Sequence, residues 1–368
     1  VVEQLATVQF LQENEFLMRT SATLQWLQRS FDVNNGHGSS AYYSPLKHPF
    51  SKWQRPYPET TGYIIETLLQ YNTIYPELKL ADTALGGGEW LLGLQLKNGA
   101  FPGGYQRYDE PSVFNTGQII IGLIKAYEYS LDERYFKSFR KAVHWLIASL
   151  DETNTWRTGA YVTNYTPAYY TRVIWPVLMA NIYLQEEKIT ERMRSTLVGY
   201  QQKVTSVYSV RDWSAFPGEK AFTHFIAYTI RGFMESAILL KDDNLFNVSK
   251  NMLEKGINVY KHDGRLAGSY DEEWKGDYSF TCVTGNCQMA LNLARLYQET
   301  KEEHYLEAAV NIFTDIISAQ RISDNPDRNG AIPGSVPLWG KYLRFRYPNH
   351  AAKFFLDACL LLRTCVNR

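Results

Sequence analysis

Cysteine is scarce in this chain, with four in 368 residues, and the four are poorly spaced for bridging or metal binding. Cys282 and Cys287 are five apart in what reads as one helix, and Cys359 and Cys365 fall on the last helix. That pattern excludes a disulfide framework and a C-x-x-C zinc pair; buried thiols in a reducing compartment are the expectation. A surplus of either charge is also missing, since Lys+Arg and Asp+Glu both number 38. No general attraction to nucleic acid or to an anionic membrane is therefore expected. No apolar run reaches the roughly 18 residues that a membrane span needs. The opening residues Val1-Val2-Glu3-Gln4-Leu5 lack the basic segment and apolar core of a signal peptide. The thiols and the missing signal favour a cytoplasmic location; a periplasmic one follows instead if a leader has been trimmed away. Linker-like and low-complexity stretches are absent too, so residues 1–368 read as one domain.

What the chain has in excess is aromatic side chains, 14% of the residues, with 26 Tyr, 18 Phe and 9 Trp. Many of the tyrosines fall in loops, among them Tyr57, Tyr105, Tyr165, Tyr170 and Tyr342. A loop tyrosine offers a flat apolar face with a polar tip. Sugars have the matching surface of C–H faces and hydroxyl edges. The competing reading is that these rings only pin long loops onto the scaffold.

A junction from polar loop into apolar helix recurs six times. Its ruler positions are Thr61, Thr116, Thr171, Thr223, Thr284 and His350, spaced 55, 55, 52, 61 and 66 apart. After each comes an apolar segment of helical period, from Tyr63 to Tyr71, Gln118 to Tyr129, Val173 to Leu184, Phe225 to Leu240, Gln288 to Tyr297 and Ala351 to Leu362. Between them lie amphipathic helices, roughly Glu15 to Phe31, Leu80 to Leu96, Glu133 to Leu150, Glu187 to Val204, Leu245 to Tyr260 and Tyr305 to Gln320. A loop motif repeats as well: Gly99-Ala100-Phe101-Pro102-Gly103, Ser214-Ala215-Phe216-Pro217-Gly218 and Gly330-Ala331-Ile332-Pro333-Gly334. Glycine and proline at fixed places imply one reused turn. Six hairpins that cannot each bury both faces predict an all-α (α/α)6 toroid, with the long outer-to-inner loops gathered at one end. Loops of that length in a compact domain are usually functional.

The Trp-Leu…Gln and Gly-Ala-Phe-Pro-Gly repeats in this spacing resemble the terpenoid cyclase and protein prenyltransferase superfamily. More closely, Tyr57-Pro58-Glu59-Thr60-Thr61-Gly62-Tyr63, Cys282-Val283-Thr284-Gly285-Asn286 and Trp339-Gly340-Lys341-Tyr342 with Tyr347-Pro348-Asn349 resemble toroid proteins encoded among bacterial exopolysaccharide and capsule assembly genes. The resemblance spans nearly the whole chain. It implies a role in making, trimming or modifying a polysaccharide, but no particular reaction. Prenyltransferases hold zinc with Asp, Cys and His, and only Asp277, Cys282 and His350 could be counterparts. The tight Asp-x-Cys is missing, so neither metal nor cofactor is expected. Asp271-Glu272-Glu273 only faintly echoes the acidic motif of the triterpene cyclases.

The first junction carries an acid, Glu59, that no other repeat has at the same offset. Six inner-helix N-termini bordering one cavity favour anionic groups there. Hydrolysis of a glycosidic bond needs a proton donor and a second carboxylate, about 6.5–9.5 Å apart if the enzyme inverts. Glu59, beside Tyr57 and Tyr63, is the candidate acid, and Asp277 or Asp212 the candidate base. The alternative is elimination from, or C5 epimerisation of, a uronate, with Tyr170 and His224 as acid–base groups and Arg172 neutralising the carboxylate. Candidate sugar contacts are Tyr57, Tyr105, Arg107, Asn115, Tyr165, Arg211, Trp213, Trp274, Trp339, Tyr342, Arg344 and Asn349. The expected partner is a poly- or oligosaccharide, and a non-catalytic binding component of an assembly machine is the third possibility. For Glu59 the competing role is a helix-capping carboxylate, worth about 1 kcal/mol. For His224 it is a structural hydrogen bond.

Overall fold

The structure, a computed structural model, describes residues 13–46, 52–105 and 107–366. Val1 to Leu5, read above for a leader, lie outside them. Among the described residues twelve α-helices follow one another as six hairpins. They are α1 (Glu13–Asp32) with α2 (Pro58–Ile74), α3 (Ala81–Leu94) with α4 (Val113–Ser130) and α5 (Glu133–Ala148) with α6 (Thr171–Leu184). The second half repeats the plan with α7 (Glu187–Gln201) and α8 (Thr223–Leu240), α9 (Asp243–Asp263) and α10 (Val283–Thr300), then α11 (Glu303–Ile317) and α12 (Asn349–Val366). Each even-numbered helix packs on the next, and α12 closes the circle by packing on α2 and α1. This is the (α/α)6 toroid that the repeat predicts.

Composition explains which helices lie inside. In α4 every residue from Val113 to Ile124 is buried, whereas α5 buries only a stripe that includes Tyr135, Phe139, Ala142, Val143 and Leu146. Glycine sets the inner spacing between α2 and α4. A Cβ at Gly122 would stand 1.9 Å from the Gly62 carbonyl oxygen, and one at Gly62 would stand 2.6 Å from the Ile119 Cα. No larger residue fits either place.

The links from inner to outer helix are mostly two residues long and share a device. Leu131, Gln185, Lys241 and Lys301 each end an inner helix in the left-handed conformation. Each is followed by an acid at the next N-cap and another in its first turn: Asp132-Glu133, Glu186-Glu187, Asp242-Asp243 and Glu302-Glu303. The left-handed residue stops one helix and the acids favour the positive end of the next. Asp242 accepts the Leu245 N–H at 3.0 Å.

The long links leave from the other end. Four of them begin with one turn in which a left-handed residue precedes a pair that is buried in three copies and, at Thr155-Trp156, half-buried at its first member. Leu96 N–H donates to Ala100 O, Asp151 to Thr155, Thr205 to Ser209 and Arg321 to Ala331, with Gly99, Asn154, Tyr208 and Gly330 in the left-handed position. This corrects the repeat drawn from sequence. The third copy is at Tyr208-Ser209-Val210, while Ser214–Gly218 forms a different loop whose Phe216 is exposed. Short ladders then tie loops together: β1 (Tyr42–Tyr43) pairs with β7 (Tyr347–Pro348), β2 (Ala221–Phe222) with β3 (Ser269–Tyr270) and β4 (Gly276–Asp277), and β5 (Thr281–Cys282) with β6 (Ser335–Val336). Cys282 therefore lies in β5 as the N-cap of α10, not within one helix with Cys287; all four cysteines are buried thiols.

Candidate functional site

The loop end of the ring holds a cleft of about 550 Å3. Inner helices present their first turns to it, supplying Glu59, Phe114, His224 and His350, and loops add Tyr57, Tyr105, Tyr161, Tyr169 and Tyr342. Tyr63 and Tyr228, one turn deeper, form the floor, with their hydroxyls 3.3 Å apart. Lys341, Arg344 and Arg346 line the wall built by the last loop, and Glu219 lines the rim.

Glu59 is the buried carboxyl of this cleft, 8% exposed. Tyr57 caps α2 through its backbone alone, and Pro58 takes the first helical position, where a missing N–H costs nothing. Glu59 stands in the first turn, at the positive end of the helix. The Tyr57 and Tyr63 hydroxyls lie near its carboxyl and favour the charged form. Burial lifts its pKa from an ordinary 4.5 to about 7, against the opposing pull of those two hydroxyls and the Arg172 charge. Such a group is protonated about half the time at neutral pH, the state a general acid needs.

Two imidazoles face the same space, with ring centroids 5.4 Å apart. The Gln288 amide lies 2.7 Å from His224 Nδ1. His350 Nε2 lies 2.8 Å from the Tyr342 hydroxyl, and its Nδ1 is buried without a partner. Burial drives both rings neutral: His350 falls to about 3, and His224 falls well below the usual value, helped by His350 and the Arg172 charge. Burial, with the Glu59 charge contributing, holds the Tyr57, Tyr63 and Tyr342 hydroxyls protonated.

The expected residues divide by place. Glu59, His224, Tyr57, Tyr105, Asn115, Tyr342 and Arg344 line the cleft, although the Asn115 amide already donates to Pro102 O at 3.0 Å. Arg107 lines an adjoining recess of about 330 Å3 that shares Tyr105 and Tyr161 with the cleft. The two candidate bases lie elsewhere. Asp277 is locked by Lys341 at 2.6 Å and by Ser279, contacts that hold its pKa down at about 2. Asp212 pairs with Lys203 at 3.0 Å and, with Tyr165 and Trp213, lines an adjoining groove of about 510 Å3 that shares Ser214, Phe216 and Glu219 with the cleft. The elimination set is dispersed too. Tyr170 is fully buried beneath the loops, its hydroxyl accepting the Tyr161 N–H. Arg172 points below the floor, where Nε donates to Gln118 Oε1 at 2.8 Å and the guanidinium lies 4.5 Å from the Tyr228 ring. Arg211 is exposed and donates to the Gln202 carbonyl. Trp274 is buried against Trp213 and Tyr270, Trp339 is 63% exposed outside the cleft, and Asn349 is buried, donating to Ser39 and Thr60. Of the zinc counterparts, Asp277 and His350 have these other partners, and no group of three potential ligands converges among the described residues.

Reading the sequence missed Glu219, Tyr228 and the pairing of His350 with His224. A signal existed for the last. Both histidines stand second in their helices, as Thr223-His224 and Asn349-His350.

No protein-family model matches the sequence, and no curated protein matches it. Solved structures do. An unsaturated glucuronyl hydrolase specific for heparin superposes with a TM-score of 0.74 at 14% identity, over 97% of this chain and 99% of that one. The unsaturated glucuronyl hydrolase of Bacillus sp. GL1 gives 0.74 at 12% identity, over 94% and 96%. Cellobiose 2-epimerase from Spirochaeta thermophila DSM 6192 gives 0.73 at 14% identity, over 98% of both chains. The chain thus has the fold of (α/α)6 toroid enzymes that act on saccharides. At these identities the likeness is one of fold.

Proposed function

We propose that the protein is a carbohydrate-active enzyme that cleaves a glycosidic bond, with Glu59 as proton donor. The observation that carries this reading is the buried Glu59 carboxyl, raised to about 7 at the floor of a tyrosine-lined cleft. The tyrosine faces suit the C–H faces of sugar rings, and Lys341, Arg344 and Arg346 suit an acidic substrate such as a uronate-bearing exopolysaccharide or its fragments. In the reaction the Glu59 proton passes to the glycosidic oxygen as the C–O bond breaks. Water adds at the anomeric carbon and gives its proton to a base. With Asp212 paired to Lys203 and Asp277 to Lys341, and neither carboxylate lining the cleft, Glu219 is the carboxylate available for that part. Neighbours of the same fold that are glucuronyl hydrolases support the choice of substrate class.

The two neighbouring imidazoles favour a second reading, proton transfer at a sugar carbon. Two neutral rings beside a tyrosine hydroxyl can take a proton from one side of a carbon and return it from the other, as epimerisation requires, or expel a leaving group from a uronate. Sugar epimerases among the fold's neighbours lend this reading weight.

One set of assays separates the readings. Acidic oligosaccharides are incubated with the protein and followed for new reducing ends, for the ultraviolet absorbance of an unsaturated uronate, and for deuterium uptake from heavy water. New reducing ends without absorbance indicate hydrolysis; the rate should fall as pH rises past about 7, and Glu59→Gln should lower it by about 10²–10⁴. Full activity in Glu59→Gln would refute the first reading. Deuterium at a sugar carbon, lost in His350→Gln, selects the second. Saturable binding with no product in any assay selects a binding protein.

A further inference from the structure

The ring encloses a second cavity, of about 500 Å3, lined by later turns of the inner helices from Glu66 and Ile74 of α2 round to Asp357 and Leu361 of α12. It shares no lining residue with the cleft. Arg172 forms the septum between them. Its guanidinium lies against Tyr228 of the cleft floor on one side and against Trp175 and Phe354, at 5.2 and 5.5 Å, on the other.

Charge is concentrated on this cavity's wall: Arg172, Arg231, Arg295 and Lys353 face Glu66 and Asp357. Lys353 is taken by both carboxylates. Behind the wall, one Glu235 oxygen serves Arg231 at 2.9 Å and Arg295 at 3.1 Å, and Arg295 also holds Glu299. Arg231 is left incomplete. Its Nε and Nη1 are buried and have no hydrogen-bond partner. Three N–H groups of a permanent cation are thus left without acceptors beside the cavity, a place for an acceptor that the protein does not itself supply. Beside it lie the Trp175 ring, 5.4 Å from the guanidinium, and the apolar side chains of Leu291 and Leu360. The helix C-termini at this end oppose an anion; of the four cations that offset them, Arg231, Arg295 and Lys353 also hold carboxylates.

We propose that this cavity is a second ligand site that takes a small organic oxyanion, a carboxylate or phosphate monoester with an apolar body. The head group meets the Arg231 guanidinium, and the body lies on Trp175 and Leu360. The site is independent of the chemistry in the cleft.

Titration calorimetry of the full chain with benzoate, phenyl phosphate and inorganic phosphate tests it. The expected result is saturable binding of benzoate or phenyl phosphate at one site per chain, tighter than inorganic phosphate, and which of the two binds better identifies the head group. Arg231→Gln should weaken it by about tenfold or more, since charged hydrogen bonds are lost. Glu66→Gln, which removes a lining carboxylate, should tighten it. Circular dichroism and urea midpoints establish that both variants are folded. Absence of saturable heat with all three anions means a cavity that holds only water, and overturns the proposal. So does unchanged affinity in a folded Arg231→Gln. If Arg231→Gln does not fold, unchanged or weaker binding in Glu66→Gln overturns it alone.

Discussion

Glu59, His224 and His350 give the protein a pH dependence whose signs can be worked out. Below pH 4.5 Glu59 is protonated whether the chain is folded or not. Between 4.5 and about 7 the unfolded chain releases this proton while the folded chain keeps it, so stability falls as pH rises. The full loss, above pH 7, is about 3 kcal/mol for a shift of this size. The histidines act in the opposite sense. Their folded pKa values are depressed, so the unfolded chain alone takes up protons as pH falls below 6.5, and stability falls with it down to about 3 for His350. The two slopes oppose each other between pH 4.5 and 6.5. Two histidines outweigh one carboxyl, so wild-type stability rises with pH over that range with a net slope of about one proton. Glu59→Gln should roughly double the slope of the urea-denaturation profile there, and should leave the variant more stable than wild type at pH 8. A variant profile parallel to wild type would mean that Glu59 carries no such shift. Glu59 was legible in the sequence because one repeat alone carries an acid there. Glu219 and Tyr228 were not, since a loop acid and a helix aromatic look ordinary until the ring brings them to one cleft.

At the scale of the element, the reused turn makes a differential prediction. Gly330 and Gly218 both have positive φ, +81° and +76°. A Cβ at Gly330 would stand 2.1 Å from the Ala22 carbonyl oxygen of α1, whereas at Gly218 it would meet nothing. Gly218→Ala should cost about 1 kcal/mol of left-handed strain. Gly330→Ala should cost roughly 2–4 kcal/mol, because overpacking against backbone adds roughly 1–3. Urea midpoints of the two variants check this, and equal midpoints would count against the turn's role in seating the loop on α1. The same turn shows where pattern reading stops. Asn154 and Tyr208 occupy the left-handed position that glycine fills elsewhere, so two copies were invisible, and the Ala-Phe-Pro-Gly at 215–218 was taken for one. The short acidic links went unread in the sequence, although they are a local signal: stopping one helix and starting the next within two residues leaves few alternatives.

For the whole molecule, no hairpin buries both its faces alone, and α12 is held by α2, α10 and α1 together. Residues 1–368 should then melt as one unit. Scanning calorimetry should show a single transition whose van't Hoff and calorimetric enthalpies agree; two transitions would divide the chain. Closure also puts the cleft and the second cavity on one axis, separated by the Arg172 septum.

The sequence alone determined the ring. Its six-fold spacing, apolar inner helices and acidic links act locally and agree with one another, so each can be read without the rest. Tertiary structure decided the site. Which of Glu59, Asp212 and Asp277 stands buried among tyrosines, and which is neutralised by a lysine, depends on residues from different parts of the chain meeting in the folded ring. Lys341 meets Asp277, and Tyr228 meets Tyr63. A carboxyl's proton affinity is set by what surrounds it, and no spacing along the chain encodes that.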